Sequence, residues 1–197
     1  MRKAALTGGI ATGKSYVLQR LQQRGIPCLD ADELAHGVTA AGTEATAAIA
    51  ARLGAAVLDA AGAVDRRKVG SIVFVDAEAR RDLERIVHPA VYRAIAAGIR
   101  AFELTDHAPL VVVDVPLLYE TGHEGDFDVV IATVCSPELQ VQRLVARGLS
   151  EREAAERLAA QMPAAQKAAR ADYTIRTDGT FAETDTRVDS ILKLLLQ

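Results

Sequence analysis

The chain has 197 residues, half of them apolar, a quarter charged and 4% aromatic, with a formal charge of −3. That length suits one domain, or one domain carrying insertions. A net negative charge offers no basic field to gather nucleic acid or an anionic membrane, so neither is an expected partner. No apolar run approaches the roughly 20 residues of a membrane span. The start runs straight into "KAALT", so a signal peptide is not expected. Cys28 and Cys135 each lie in or beside an apolar run, and we expect buried free thiols in a reducing cytoplasm. The 18 arginines outnumber the 5 lysines. This suits forked contacts to phosphate or carboxylate, and a plain compositional bias explains it as well.

In chain order, "KAAL" (3–6) reads as a strand, and "SYVLQRLQQRG" (15–25) as a helix with Val17, Leu18 and Leu21 on one face and Gly25 as its stop. "IPCL" (26–29) reads as a short strand whose Pro27 marks an edge or a start. Residues 39–107 are helical in pattern. The alanine-rich part keeps an apolar face through Ile49, Leu53, Val57 and Leu58. "PLVVVDV" (109–115) and "DVVIATV" (128–134) are continuous apolar runs, as in parallel strands covered on both faces. A helix follows at 137–148, then a short charged helical stretch (149–169), a strand "YTI" (173–175) and a closing helix (186–196). Strands alternating with helices predict an α/β fold built on a parallel sheet, with insertions at 39–107 and 149–169.

The segment "LTGGIATGKSY" holds the chemistry. Gly8 through Ser15 fit G-x-x-x-x-G-K-[ST] between a predicted strand and a predicted helix, the context that this phosphate-binding loop requires. Glycines let several backbone N–H groups face one anion, and the helix N-terminus adds partial positive charge. Lys14 is placed to reach the β- and γ-phosphates, and the Ser15 hydroxyl to ligate magnesium. Gly9, Ala11, Thr12, Gly13 and Tyr16 complete the expected ATP contacts. The chain has no Asn-Lys-x-Asp guanine reader, and "DAAG" (59–62) lies in the alanine-rich insert as a chance match to D-x-x-G. "VVVDVP" offers Asp114 without a following acid. Asp114 either holds magnesium through water or caps a strand end. At the end of the second strand, Asp30 and Asp32 lie on one side if the chain stays extended. Otherwise Asp30 caps the next helix. A carboxylate here could accept the proton of a substrate hydroxyl attacking the γ-phosphate.

Taken together, "LTGGIATGKS", "DADELA", "VDRRKV", "VHPAV", "VPLLYE", "RLVARG", "RLAAQ" and "ADYTI" resemble the dephospho-coenzyme A kinases, in that family's order and over nearly the whole chain. The resemblance implies a P-loop NTPase-type parallel sheet flanked by helices. The core would cover about 1–38, 108–148 and 170–197, a helical acceptor-binding insert about 39–107, and a small helical lid about 149–169. It implies a transferase of the cytoplasm that uses ATP and Mg2+ to phosphorylate the ribose 3′-hydroxyl of dephospho-coenzyme A, the last step of coenzyme A biosynthesis. Under it, Lys14, Asp32 and Arg143 are catalytic: phosphate lysine, base, and stabiliser of the moving phosphoryl group. Arg147 lies on the lid side near the nucleotide. Asp32, Arg66, His88 and Leu117 hold the acceptor. Bland readings stand beside these: a solvated helix face for Arg143, a helix start before Pro89 for His88, and core packing for Leu117 and Leu118. The chain departs from the family at Tyr16, where Thr is common, at Thr177-Asp178-Gly179, where Asn-x-Gly is common, and at Ala11-Thr12 inside the loop. Ser150 and Glu153 form a capping-box pattern, so the lid should contain a real helix. The alternatives are another small-molecule P-loop kinase, of nucleoside monophosphate or shikimate type, and a nucleotide-gated switch without turnover.

Overall fold

A computed structural model describes residues 1–105 and 108–197. The chain divides into two units: Met1–Leu29 with Phe102–Gln197, and Asp30–Ala101.

The first unit is the α/β part. Its strands are β1 (Arg2–Gly8), β2 (Cys28–Asp30), β3 (Leu110–Asp114), β4 (Val129–Val134) and β5 (Tyr173–Arg176), in the order β2-β3-β1-β4-β5. β1 pairs in parallel with β3 and β4, and β4 with β5. The two continuous apolar runs are the two strands flanking β1, and every residue of both is buried. Covering both faces of a parallel sheet removes the need for polar alternation. β2 is an edge strand, as Pro27 foretold: the proline contributes only its carbonyl, which accepts from Val112 N at 2.9 Å.

On one face, helix α1 (Lys14–Gln23) buries Val17, Leu18 and Leu21 against Leu6, Val112 and Ile131. The last helix, α9, adds Val188, Ile191, Leu192 and Leu195 to the same cluster. α9 spans Phe181–Leu195 and starts five residues before the predicted point. The cause is local. Thr180 and Glu183 form a reciprocal capping box, a start signal stronger than the apolar periodicity that sets in later. The unit also holds α6 (Pro137–Val145), α7 (Glu151–Ala159) and α8 (Ala164–Arg170). α6 stops three residues early because the chain turns through Gly148 at φ 96°.

The expected cover over 149–169 divides near Pro163. α7 has the predicted Ser150–Glu153 box. α8 instead packs on β1 and β4 and buries Lys167 completely, so it belongs to the packed unit rather than to a cover.

The second unit contains α2 (Ala31–Val38), α3 (Glu44–Leu53), α4 (Arg66–Val75) and most of α5 (Ala77–Thr105). Its core joins Ile49, Val57 and Val69 to Leu53, Leu58, Ile72, Leu83 and Ile86. Side-chain oxygens of Asp30, Thr43 and Asp65 cap the first three helices. α5 runs straight through Pro89, so no helix starts there and the helix-start reading of His88 is corrected. The boundary also differs from the sequence expectation: α2 falls with the helical unit, not with the sheet. "DAAG" forms a turn in which the Asp59 carboxylate accepts from Ala61 N and Ala63 N, which supports its dismissal as a nucleotide motif.

Candidate active site

The loop between β1 and α1 is shaped by where its carbonyls go. Gly9 O accepts from the Thr12 hydroxyl at 2.8 Å, and Ile10 O from Gln140 Nε2 at 2.6 Å. Ala11 O accepts from Arg143 Nη1 at 3.1 Å, and Thr12 O from the Thr177 hydroxyl at 2.7 Å. Four successive acceptors are therefore engaged, the first from within the loop and the next three from outside it. The chain contains no cis peptide bond among its described residues, and in a trans peptide N–H and C=O point in opposite directions. The amides of Ile10, Ala11 and Gly13 are thus turned away from those partners, as an anion-binding nest requires.

Two glycines are forced by this path. A Cβ on Gly8 would lie 2.1 Å from Thr133 Oγ1 and 2.7 Å from Thr12 Oγ1, where those hydroxyls share a hydrogen bond of 2.7 Å. Gly13, at φ 83°, occupies the cap position of α1 without any side-chain cap. The Tyr16 amide bonds to the Gly13 carbonyl, and the amides of Lys14 and Ser15 ahead of it are the ones left to a ligand. Ala11 also sits at positive φ, 59°. That strained conformation persists because Arg143 grips its carbonyl.

Lys14, the first residue of α1, forms an ion pair with Asp114 at the end of β3. Asp114 is buried, so the structure gives it a charged partner rather than a bare strand-end role. Ser15 is exposed on the first turn. Tyr16 turns toward α9: its hydroxyl donates to Asp185 Oδ1 at 2.9 Å and its ring stacks on Phe181. Cys28 and Cys135 are free thiols, as expected, but only Cys135 is buried; Cys28, on the edge strand of the sheet, is half-buried. Burial first, then the nearby Asp114 charge, pushes the Cys28 thiol up to about 12. Burial also raises that of Cys135.

Arg143 does not present a free guanidinium or a solvated face. Nη1 donates to Ala11 O and to the Thr177 hydroxyl (3.2 Å), and Nη2 donates to Thr177 O at 2.6 Å. It ties the phosphate loop to the turn after β5. Thr177 does here what its place after the last strand demands: it holds the Thr12 carbonyl with its hydroxyl, while Asp178 pairs with Arg176. Arg147 is exposed beyond the end of α6. A cavity of about 190 Å³ lies beside the loop, lined by Gly9, Ile10, Cys135, Gln140, Leu158 and Met162. Leu118 is fully buried core, whereas Leu117 is 39% exposed.

Sequence reasoning passed over Gln140, Thr133 and Lys167. Gln140 and Arg143 stand three apart on α6 and reach adjacent loop carbonyls, a spacing that the sequence carried. Lys167 Nζ donates to Pro116 O at 2.6 Å and pairs with Glu120 at 2.8 Å, pinning the turn after β3.

In the helical unit, Asp30 and Asp32 are not side by side on an extended chain. Asp30 is the cap of α2, its Oδ1 accepting from the amides of Asp32 (2.8 Å) and Glu33 (3.2 Å). Asp32 is the second residue of that helix and is exposed, with its carboxylate outside the cap. Arg66 opens α4 and is exposed, and His88 is half-buried within α5.

A family model described as dephospho-CoA kinase matches residues 3–183. A dephospho-CoA kinase of Anaeromyxobacter dehalogenans is 45% identical over 193 residues, which is 98% of this chain and 91% of that protein. A crystal structure of a Thermus thermophilus protein superposes with a TM-score of 0.86 at 34% identity, covering 100% of this chain and 98% of the other. A Campylobacter jejuni dephospho-CoA kinase superposes with a TM-score of 0.72 at 25% identity, covering 98% and 96%.

Proposed function

The chain belongs to the dephospho-CoA kinase family, and on that premise we propose a division of labour among its residues. It is an ATP-dependent kinase of dephospho-coenzyme A, in the biosynthesis of coenzyme A. The acceptor is the ribose 3′-hydroxyl, and the products are coenzyme A and ADP. The observation that carries the nucleotide half is the outward capture of three successive loop carbonyls, those of Ile10, Ala11 and Thr12, which leaves the opposed amides free to face a polyphosphate.

Lys14 exchanges its Asp114 partner for the β- and γ-phosphates when ATP enters. Asp32 takes the acceptor proton as its oxygen attacks phosphorus and the bond to the β-phosphate oxygen breaks. Its place outside the cap favours it over Asp30, whose carboxylate is committed to two amides. Arg143 acts as a positioning residue that sets the loop. Arg147 serves the nucleotide from the lid side, and Arg66, His88 and Leu117 hold the acceptor. Ser15 and Asp114 supply a hydroxyl and a carboxylate, hard oxygen donors of the kind magnesium accepts. When bound, the ion would neutralise charge on the phosphate oxygens. We place the enzyme in the cytoplasm. No helix among the described residues is long and apolar enough to cross a membrane.

The experiment is a panel of acceptors with radiolabelled ATP, run on wild type, Asp32→Asn and Lys14→Ala. Transfer to dephospho-coenzyme A, a turnover lower by at least ~10²-fold in Asp32→Asn with ATP affinity kept, and loss of transfer in Lys14→Ala are expected. Near-normal turnover in Asp32→Asn would remove Asp32 from the base role. Intact activity in Lys14→Ala would contradict the phosphate cradle.

A further inference from the structure

Tyr16 stands one residue after the magnesium-type serine, and its ring is held in place from two directions. Its hydroxyl donates to Asp185 Oδ1 at 2.9 Å, and Arg20 forks the same carboxylate at 2.7 and 2.6 Å. The fork and the hydroxyl outweigh the effect of burial and hold the Asp185 carboxyl below its usual range, so it stays charged. Phe181 lies against Tyr16 with ring centroids 4.7 Å apart and planes tilted by 39°. Phe181 is itself the first residue of α9, fixed by the Thr180–Glu183 box.

A single exposed aromatic is ordinary. This one is 72% exposed, yet it rests on the ring of Tyr16, the residue that follows the phosphate-loop serine and is itself held by Asp185. Gly13 sits so close to Thr177 that an added Cβ would lie 3.3 Å from its hydroxyl, and Thr177 opens the turn that leads to Phe181. The segment 177–181 therefore flanks the N-terminus of α1, the end where the α-phosphate joins the nucleoside.

We propose that the Tyr16–Phe181 pair is a stacking shelf for the adenine of ATP, and that it sets ATP affinity in this chain. The proposal rests on the kinase reading above. It gives Tyr16, where the family commonly has threonine, a role at the base in place of a hydroxyl contact at the α-phosphate. Stacking on a fixed ring needs no hydrogen-bond pattern, and the rings lose little freedom when the base arrives.

The test uses Phe181→Ala and Phe181→Trp in the whole enzyme, with folding checked by circular dichroism. In Phe181→Ala the KM for ATP is expected to rise about tenfold, equivalent to about 1.4 kcal/mol, while the KM for dephospho-coenzyme A moves less than about twofold. The chain has no tryptophan, so Phe181→Trp provides one fluorophore. Its emission should be quenched by ATP and not by inorganic tripolyphosphate, which lacks a base. An unchanged KM for ATP, a change confined to the acceptor, or equal quenching by both ligands overturns the shelf. Failure of wild type to bind ATP at all would instead remove the kinase reading beneath it.

Discussion

Arg143 separates two accounts of the same residue. As a stabiliser of the moving phosphoryl group it would act on turnover. As the clamp seen in the structure it acts on the shape of the loop. Arg143→Ala deletes the donor to Ala11 O and the donor to Thr177 O, and leaves Ala11 at positive φ without its grip. Charge-assisted hydrogen bonds contribute about 1.5–3 kcal/mol each in net terms. The guanidinium is only half-buried, which favours the lower bound, so the two together come to about 3 kcal/mol. In a chain of this length, about 2–4 °C of melting temperature accompanies each kcal/mol, which gives a fall of about 6–12 °C. Calorimetry or a urea titration measures that fall, and steady-state kinetics measures the rest. We expect the KM for ATP to rise by about tenfold or more as the loop loosens, with Arg143→Lys intermediate. A variant that melts like wild type yet loses about 10³-fold in turnover at saturating ATP would refute the clamp and restore the direct role.

Lys167→Ala removes the buried donor to the Pro116 carbonyl and leaves the exposed Glu120 carboxylate with the Met162 amide, and the loss of that charge-assisted contact predicts about 1.5–3 kcal/mol of destabilisation in urea unfolding. Lys167→Met, which keeps the length of the chain, should recover part of it, and stability equal to wild type in both variants would contradict the pinning role. With the Cys28 thiol at about 12, only about one molecule in 10⁴ is thiolate at pH 8, so a disulfide reagent should label Cys28 in the folded protein far more slowly than in urea. Rapid labelling of the native state would contradict that raised pKa. Glu153 and Glu183 are held below the usual carboxylate range by hydrogen bonds from Ser150 and Thr180 in their capping boxes. Their folded pKa values are depressed, so the stabilisation is present above the unfolded value of about 4.3 and is lost as pH falls through the folded one. Melting temperature should therefore drop below about pH 4, and the double variant Glu153→Gln/Glu183→Gln should show a shallower acid limb; an identical limb would show that the boxes do not contribute.

The sequence by itself determined the elements and the phosphate loop. The apolar runs at 109–115 and 128–134 read as strands covered on both faces, and Gly8, Gly13, Lys14 and Ser15 stand at the spacing of a phosphate-binding loop between a strand and a helix. The Ser150–Glu153 box was legible for the same reason: its partners lie three residues apart. What only the tertiary structure decided concerns contacts between segments far apart in the chain. The Thr12 carbonyl is held from position 177 and the Lys14 ammonium by position 114. The two carbonyl partners of Arg143 came only with the fold, as did the Asp185 partner of Tyr16 from the last helix. Short-range periodicity and turn chemistry are written in neighbouring residues, whereas a side chain's partner on a distant segment is fixed only when the sheet sets its strand order.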